Sequence, residues 1–168
     1  TEAHLILYAS NGKIPQDLFS WHFHKSQTSQ LTQSLTKGID PDHLVEGQVV
    51  RFTSYDGTIV PGILYKPHTA TGKNQVPAMV FVHGGPGGQS DRSYNALFQY
   101  LVNHEYAVFA INNRGSSGYG KTFYHMDDRK HGDADLDDVV ESKHMLGETG
   151  YIDPERIGII GQSYGGYM

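Results

Sequence analysis

The most restrictive feature of the sequence is a glycine-rich serine motif near its C-terminus. Residues 161–166 read Gly-Gln-Ser-Tyr-Gly-Gly and directly follow the apolar segment Ile157-Gly158-Ile159-Ile160. A short apolar segment of this kind is typical of a strand buried on both faces. Glycines on either side of a serine let the backbone turn sharply, because they remove Cβ atoms that would collide in the turn. The motif therefore predicts a strand, a tight turn with Ser163 at its tip, and then a helix.

Ser163 would stand where a reactive hydroxyl can meet a substrate. A turn at the end of a parallel strand lies at the carboxyl edge of the sheet, where open α/β folds bind their ligands. In a plainer interpretation, Ser163 only caps a helix in a glycine-rich turn. The apolar strand before the turn and the additional Gly166 favour Ser163 as a catalytic nucleophile.

A second glycine-rich segment follows another apolar run. Ala78–Val82 reads as a buried strand, and residues 83–88 are His-Gly-Gly-Pro-Gly-Gly. Acyl transfer to a serine develops a negatively charged oxygen that needs preorganised N–H donors. We expect these donors to be the backbone N–H groups of Tyr164 and Gly85, since glycines let the backbone approach a substrate closely. His83 is interpreted as a supporting residue rather than a base. The plainer alternative is a strand-to-helix turn without a catalytic role.

The pattern from residue 46 onward predicts an α/β domain. Strands are predicted at 48–54, 58–65, 78–82, 106–111 and 157–160. Asp56-Gly57 predicts a hairpin turn, and Asp153-Pro154 predicts a turn before the last strand. One helix has the apolar positions Tyr94, Leu97, Tyr100 and Leu101. A second begins with Asp133, Asp135 and Asp137 and has the core positions Leu136, Val139, Val140 and Leu146. Strands alternating with helices predict a mostly parallel sheet.

The first 45 residues have a different pattern. Residues 4–10 form an apolar run, and Phe19, Trp21 and Phe23 alternate with polar residues. These patterns predict the two strands of a β-hairpin. Residues 25–47 are polar and are predicted to be a connector. The sequence thus divides into residues 1–45, which belong to another domain, and residues 46–168.

Composition narrows the classes of function. The 168 residues are 38% hydrophobic and 18% charged with a net charge of −5, which is ordinary for a soluble globular protein. The mildly acidic balance gives no reason to expect a nucleic-acid partner, and no apolar run is long enough to span a membrane. Without cysteine, thiolate metal sites are excluded. We expect no metal and no cofactor, and both the cytoplasm and the periplasm remain open as compartments.

The general base that a serine nucleophile needs is not apparent. In this type of site the acid and then the histidine follow the serine in chain order, whereas all ten histidines here precede Ser163. His125, His131 and His144 are interpreted as surface residues. We therefore expect the chain to be part of a longer protein, and we expect the isolated 168 residues to be poorly stable and inactive.

Together these motifs resemble the prolyl oligopeptidase family of serine peptidases. The resemblance covers nearly the whole chain and rests on the segments 161–168, 83–86, 113–120, 153–157 and 54–57. It implies a β-propeller followed by an α/β-hydrolase domain. Residues 1–45 would then be the end of the propeller and a linker, and residues 46–168 the N-terminal part of the catalytic domain. It also implies hydrolysis of short peptides, with Ser163 as nucleophile and with Gly85 and Tyr164 as oxyanion donors.

The resemblance leaves several alternatives open. His83-Gly84-Gly85-Pro86 is more similar to the acylaminoacyl-peptidase-like branch than to branches that place a tyrosine near this position, such as dipeptidyl peptidase IV, so a strict preference for proline is not implied. Arg114 is interpreted either as an ion-pairing residue that orders its loop or as a residue that approaches the substrate. The competing functions are an esterase on the same core, a proline iminopeptidase, and a truncated product that acts as an interaction module.

Overall fold

A computed structural model describes residues 4–168. Its N-terminal part is an antiparallel sheet of β1 (His4–Ala9), β2 (Asp17–His22) and β3 (Gln27–Gln30), in that order. The two predicted strands are confirmed, but the prediction of a hairpin followed by a connector is wrong at Gln27–Gln30. This segment is polar and exposed throughout, so no apolar alternation marks it in the sequence. It is a strand because its backbone pairs with β2, with Phe19 opposite Gln30.

The second sheet has five strands and carries the candidate site. They are β4 (Gln48–Thr53), β5 (Ile59–Tyr65), β6 (Val76–Val82), β7 (Ala107–Ile111) and β8 (Ile152–Gly161), in the order β4-β5-β7-β6-β8. The neighbours β4, β5 and β7 are antiparallel, whereas β7, β6 and β8 are parallel. The predicted mostly parallel sheet is therefore a mixed sheet. The tight Asp56-Gly57 turn makes β4 and β5 an antiparallel hairpin, and β5 also pairs antiparallel with β7.

β7 lies at the centre of this sheet and is buried on both faces. Phe109 and Ile111 belong to the core on one face, and Val108 and Ala110 belong to the core on the other. Successive residues of a strand point to opposite faces, so this one short strand serves both cores.

Four helices accompany the sheet: α1 (Ala96–Asn103), α2 (Lys121–Tyr124), α3 (Ala134–Gly147) and α4 (Tyr164–Tyr167). In the described part of the chain, residues 4–168, no helix has the length and hydropathy that crossing a membrane requires.

The predicted helix near residues 94–101 is α1; of its apolar stripe, Leu101 packs against the core, but Leu97 and Tyr100 do not. Leu97 and Tyr100 are exposed, Tyr100 by 60%, whereas Phe98 and Val102 are buried. The Asn95 side chain accepts two N–H groups of the first turn and so fixes the start of the helix. Phe98 and Val102, which lie one turn apart on the same side, then pack against the sheet.

α3 begins with the predicted acidic turn and buries Val139 and Leu146 as predicted. Val140 is 55% exposed, so its assignment to the core is wrong. Asp135 and Asp138 are fully buried instead. Burying a carboxylate is costly unless it is paired and hydrogen-bonded, and both aspartates have such partners near the candidate site.

β8 is an edge strand, so the prediction that residues 157–160 are buried on both faces is wrong for this chain. β8 pairs with β6 alone, and Ile159 is 52% exposed. The predicted turn at Asp153-Pro154 is a bulge within β8, which interrupts its pairing with β6. At the carboxyl ends of these two strands, Val82 lies opposite Gly161. Both glycine-rich segments of the sequence therefore start side by side, at the carboxyl ends of the neighbouring strands β6 and β8.

Candidate active site

Ser163 lies in a sharp turn between β8 and α4. Its backbone angles are φ 55° and ψ −119°, a conformation that residues with a Cβ atom rarely adopt. β8 ends at Gly161 and α4 begins at Tyr164, so the chain changes direction within two residues. Ser163 itself is exposed. The structure therefore contains the predicted strand, turn and helix, with the serine at the tip of the turn.

Two glycines make this turn sterically possible. A Cβ atom on Gly161 would overlap the carbonyl oxygen of Gly165, and one on Gly165 would overlap the carbonyl oxygen of Val82. Both obstacles are backbone atoms, which cannot swing away as the end of a long side chain would. At Gly166 the nearest atom to an added Cβ lies 3.6 Å away. The first two glycines of the motif are therefore required by packing, and Gly166 has room for a side-chain carbon.

The loop after β6 lies directly against Ser163. A Cβ atom on Gly84 would come within 3.2 Å of Ser163 Cβ and 3.7 Å of Ser163 Oγ. Gly85 has a φ of 136°, in the region that favours glycine. Within residues 4–168, the backbone N–H groups of Gly85 and Tyr164 have no hydrogen-bond acceptor. The loop and the turn thus meet, and the two N–H groups of the sequence prediction are free to donate.

His83 is buried beside this loop, and both of its ring nitrogens are engaged. Nδ1 lies 2.8 Å from the carbonyl oxygen of Gly84, and Nε2 lies 2.8 Å from Ser116 Oγ. The Ser116 hydroxyl in turn lies 2.6 Å from the carbonyl oxygen of Asn113. Burial lowers the pKa of His83. These contacts favour the interpretation of His83 as a residue that supports the loop, and they leave it without a free nitrogen to act as a base.

Arg114 is almost completely buried between two carboxylates. Its Nε and Nη2 atoms donate to Asp138 at 3.0 and 2.7 Å, and its Nη1 atom donates to Asp56 at 2.8 Å. The hydrogen bonds from Arg114 hold the pKa of Asp56 well below its ordinary value, and those to Asp138 raise the pKa of Arg114. The guanidinium joins the β4–β5 turn to α3. This supports the structural interpretation of Arg114 over a substrate contact.

Sequence reasoning did not single out Asp135 as a residue of the site. Asp135 is fully buried in the first turn of α3, and it accepts a hydrogen bond from the Tyr164 hydroxyl at 2.5 Å. Burial, reinforced by this hydrogen bond, raises the pKa of Tyr164. In the sequence Asp135 is only an acid at a helix start, which predicts an interaction with the helix dipole. Its contact with Tyr164 depends on how α3 packs against the turn after β8.

The histidines near the site engage other partners. His125 Nδ1 lies 2.9 Å from Asp128, and His131 Nε2 lies 3.5 Å from Asp127. The His131 ring packs edge-on against Tyr164 at 5.5 Å between ring centroids. Among residues 4–168, no group of three or more His, Asp or Glu side chains is arranged to hold a metal ion. The described site thus consists of the serine turn, two free N–H groups and the residues that support them.

Comparison with known proteins agrees with the family resemblance that the sequence motifs indicate. Residues 92–168 match the Prolyl oligopeptidase family. The uncharacterized peptidase YuxL of Bacillus subtilis is 32% identical over 168 residues, which cover 99% of this chain and 25% of the relative. Dipeptidyl aminopeptidase BIII of Pseudoxanthomonas mexicana is 32% identical over 130 residues, covering 74% of this chain and 19% of the relative. The chain therefore spans a quarter or less of the length of these curated relatives.

Solved structures give a similar result. Acylaminoacyl peptidase from Pyrococcus horikoshii has a TM-score of 0.80 and 28% identity, covering 99% of this chain and 27% of that one. Puromycin hydrolase has a TM-score of 0.87 over 99% of this chain and 26% of that one, and at 23% identity it shows the fold alone. Both the family match and these similarities include the turn at Ser163. The chain belongs to the prolyl oligopeptidase family of serine peptidases.

Proposed function

We propose that this chain is part of a serine peptidase that hydrolyses short peptides through an acyl-enzyme on Ser163. One observation carries the proposal: Ser163 is held at positive φ on the tip of a turn, and the Gly84–Gly85 loop packs directly against it. A strained, exposed serine is what an attacking hydroxyl requires. An ordinary capping serine needs neither the strain nor a second loop beside it.

Each half of the site has a chemical task in this proposal. A general base takes the proton of the Ser163 hydroxyl as its oxygen attacks the scissile carbonyl carbon, and the carbonyl oxygen becomes negatively charged. The N–H groups of Tyr164 and Gly85 donate hydrogen bonds to that oxygen. Because neither group has an acceptor within residues 4–168, the donors need not break an existing hydrogen bond when the charge develops. When the carbonyl forms again, the C–N bond breaks and the amine leaves with the proton returned by the base. The acyl group stays on Ser163 until water hydrolyses the ester.

The general base and the carboxylate that orients it are assigned to parts of a longer protein outside these residues. His83 is buried with both nitrogens engaged, and His125 and His131 lie beside aspartates. A base that follows Ser163 in the chain fits the order serine, acid, histidine of α/β hydrolases. The low coverage of the relatives is compatible with this assignment.

We assign residues 1–45 to the end of a β-propeller and a linker, and residues 46–168 to the N-terminal part of an α/β-hydrolase domain. The two separate sheets support this division. Gln99 of α1 ties the parts together: its Oε1 accepts the Val45 N–H at 3.0 Å, and its Nε2 donates to the carbonyl oxygens of Val45 and Gly12 at 2.8 and 2.9 Å. The linker end is therefore fixed on the catalytic part.

The names of the relatives, which include a dipeptidyl aminopeptidase and an acylaminoacyl peptidase, favour peptides over esters as substrates. The test uses the full-length protein that contains this chain, with peptide anilides and acyl esters assayed in parallel. We expect a higher kcat/KM for the peptide anilides than for the acyl esters. We expect Ser163→Ala to lower kcat for the peptides by a factor of about 10⁴ or more. A higher kcat/KM for the esters would contradict the proposed peptidase activity and would indicate an esterase. Unchanged turnover in Ser163→Ala would refute both.

A further inference from the structure

The side chain of Tyr164 links the serine turn to α3. Its hydroxyl lies 2.5 Å from Asp135 Oδ2, and its ring packs against His131 and Tyr167. Tyr164 is the residue directly after Ser163 and the first residue of α4. A contact made by its side chain therefore acts on the backbone that follows the serine.

Asp135 is itself rigidly held. It is fully buried, and its Oδ1 atom accepts the backbone N–H groups of Gly132 and Asp133 at 2.8 and 3.0 Å. Its other oxygen, Oδ2, is the one that receives the Tyr164 hydroxyl. The carboxylate is thus fixed by the start of α3, and it offers the phenol one acceptor in one position.

The backbone of the turn at Ser163 is attached to the sheet through Gln162, whose N–H donates to the carbonyl oxygen of Val82 at 3.4 Å. α4 is only four residues long, and its backbone hydrogen bonds run within the turn, from Gly165 to Gln162 and from Gly166 and Tyr167 to Ser163. These bonds shape the turn, and the Gln162 bond holds its start on β6, but none of them reaches α3. The phenol–carboxylate bond reaches across 29 residues to a different helix.

We propose that Asp135 is a positioning residue for the oxyanion hole, because its hydrogen bond to the Tyr164 hydroxyl fixes the direction of the Tyr164 backbone N–H. This inference rests on the proposed function, in which that N–H stabilises the developing charge. An oxyanion donor works only if it is aimed in advance at the place where the charge appears. Asp135 touches neither substrate nor reacting atoms and acts through Tyr164.

The test is Tyr164→Phe in the full-length protein, which removes one hydroxyl and keeps the backbone N–H. Removing an oxyanion donor outright costs about 10²–10³ in kcat, so a misaimed donor should cost less, about 10- to 100-fold. KM for the peptide substrate should stay within about twofold, because the N–H binds the transition state rather than the ground state. Affinity for a peptide boronate, whose tetrahedral oxygen takes the oxyanion position, should fall by the same factor as kcat/KM.

The matched control is Tyr167→Phe on the same helix. Tyr167 is 69% exposed, and its substitution should change neither kcat nor boronate affinity. Asp135→Asn provides a second variant: its amide oxygen can still accept the N–H groups of Gly132 and Asp133, while an N–H₂ group replaces the Oδ2 atom that accepts the Tyr164 hydroxyl, so the phenol loses its carboxylate acceptor. The double variant should lose no more activity than Tyr164→Phe alone, because both changes act through one hydrogen bond.

The outcomes separate this inference from the proposed function. If Ser163→Ala is inactive but Tyr164→Phe keeps the wild-type kcat and boronate affinity, Ser163 stands as nucleophile and the positioning role is wrong. A lower Tm in Tyr164→Phe with unchanged kcat would show a purely structural contact and would also overturn it. Additive losses in the double variant would assign Asp135 and Tyr164 separate roles, against the inference. An active Ser163→Ala variant would remove the function on which the inference rests.

Discussion

At Ser163 the backbone is held in a conformation that most residues avoid. A positive φ in a non-glycine residue costs on the order of 1–3 kcal/mol and persists only where the surroundings impose it. Here Gly161 and Gly165 impose it, because they let the backbone of the turn approach the end of β6. The glycines at these two positions are visible in the sequence. The sharp turn at Ser163 was therefore predictable from sequence, because only residues without a Cβ atom fit at these two positions.

The first prediction concerns Gly165→Ala. The added Cβ would overlap the carbonyl oxygen of Val82, a backbone atom of the central sheet, so the turn must move. We expect the full-length protein to lose about 2 kcal/mol or more of unfolding free energy and most of its reactivity at Ser163. Urea unfolding and the rate of labelling by a fluorophosphonate measure these two effects.

Gly166→Ala is the matched control, because the nearest atom to its added Cβ is 3.6 Å away. It should change stability by no more than about 0.5 kcal/mol. Equal effects of the two substitutions would mean that general glycine flexibility, rather than close backbone approach, shapes the turn.

At the scale of elements, α3 organises the surroundings of the site through two buried carboxylates one turn apart. Asp135 accepts a hydrogen bond from the Tyr164 hydroxyl. Asp138 accepts hydrogen bonds from the Arg114 guanidinium and the Ser54 hydroxyl. Arg114 lies in the loop after β7, and Ser116 of the same loop contacts His83. The helix is thus bonded both to the turn that carries the serine and to the loop that supports the second glycine-rich segment.

The second prediction concerns Arg114→Ala. The substitution leaves Asp138 buried without its cation, and breaking a buried pair in this way costs about 3–5 kcal/mol. Urea unfolding of the full-length protein measures the loss. Arg156→Ala is the matched control, because Arg156 pairs with Asp153 at the surface and exposed pairs contribute about 0–1 kcal/mol. Similar losses in both variants would contradict the account of Arg114 as a buried clamp.

Sequence periodicity located α1 and α3 but misjudged which faces are buried. Val140 was expected in the core, and Asp138 was not considered for it, because a periodicity argument counts every carboxylate as polar. The partner that makes burial of Asp138 favourable, Arg114, lies 24 residues away in the chain. Likewise, the polar strand β3 exists only because β2 offers it a backbone partner. Interactions between distant segments decide these features, and local patterns do not contain them.

At the scale of the whole molecule, the five-stranded sheet of the described residues has β4 and β8 as its edge strands, and the β8 edge lies beside the candidate site. β8 pairs on one side only, and Ile159 and Val140 are exposed on neighbouring elements. An unpaired edge next to exposed apolar side chains is a template for association. In the proposed longer peptidase, further strands and helices would cover this surface.

The third prediction follows for the 168 residues produced alone. We expect them to associate or to unfold without a sharp transition, because the β8 edge is open, and to hydrolyse no peptide, because the general base is assigned to another part of the longer protein. Size-exclusion chromatography and urea unfolding test the first part. Ile159→Lys places a charge on the exposed edge and should reduce association. A monomer that unfolds in one cooperative transition without this substitution would show that the sheet is complete as it stands.

The central claim, that Ser163 is the nucleophile, is tested most directly by mapping a covalent label. The full-length protein is treated with a fluorophosphonate, and the modified peptide is identified by mass spectrometry while residual peptidase activity is followed. The account predicts modification at Ser163 alone, activity lost in proportion to labelling, and no labelling of the Ser163→Ala variant. Modification of a different serine in step with the loss of activity, or full activity after Ser163 is labelled, would contradict it.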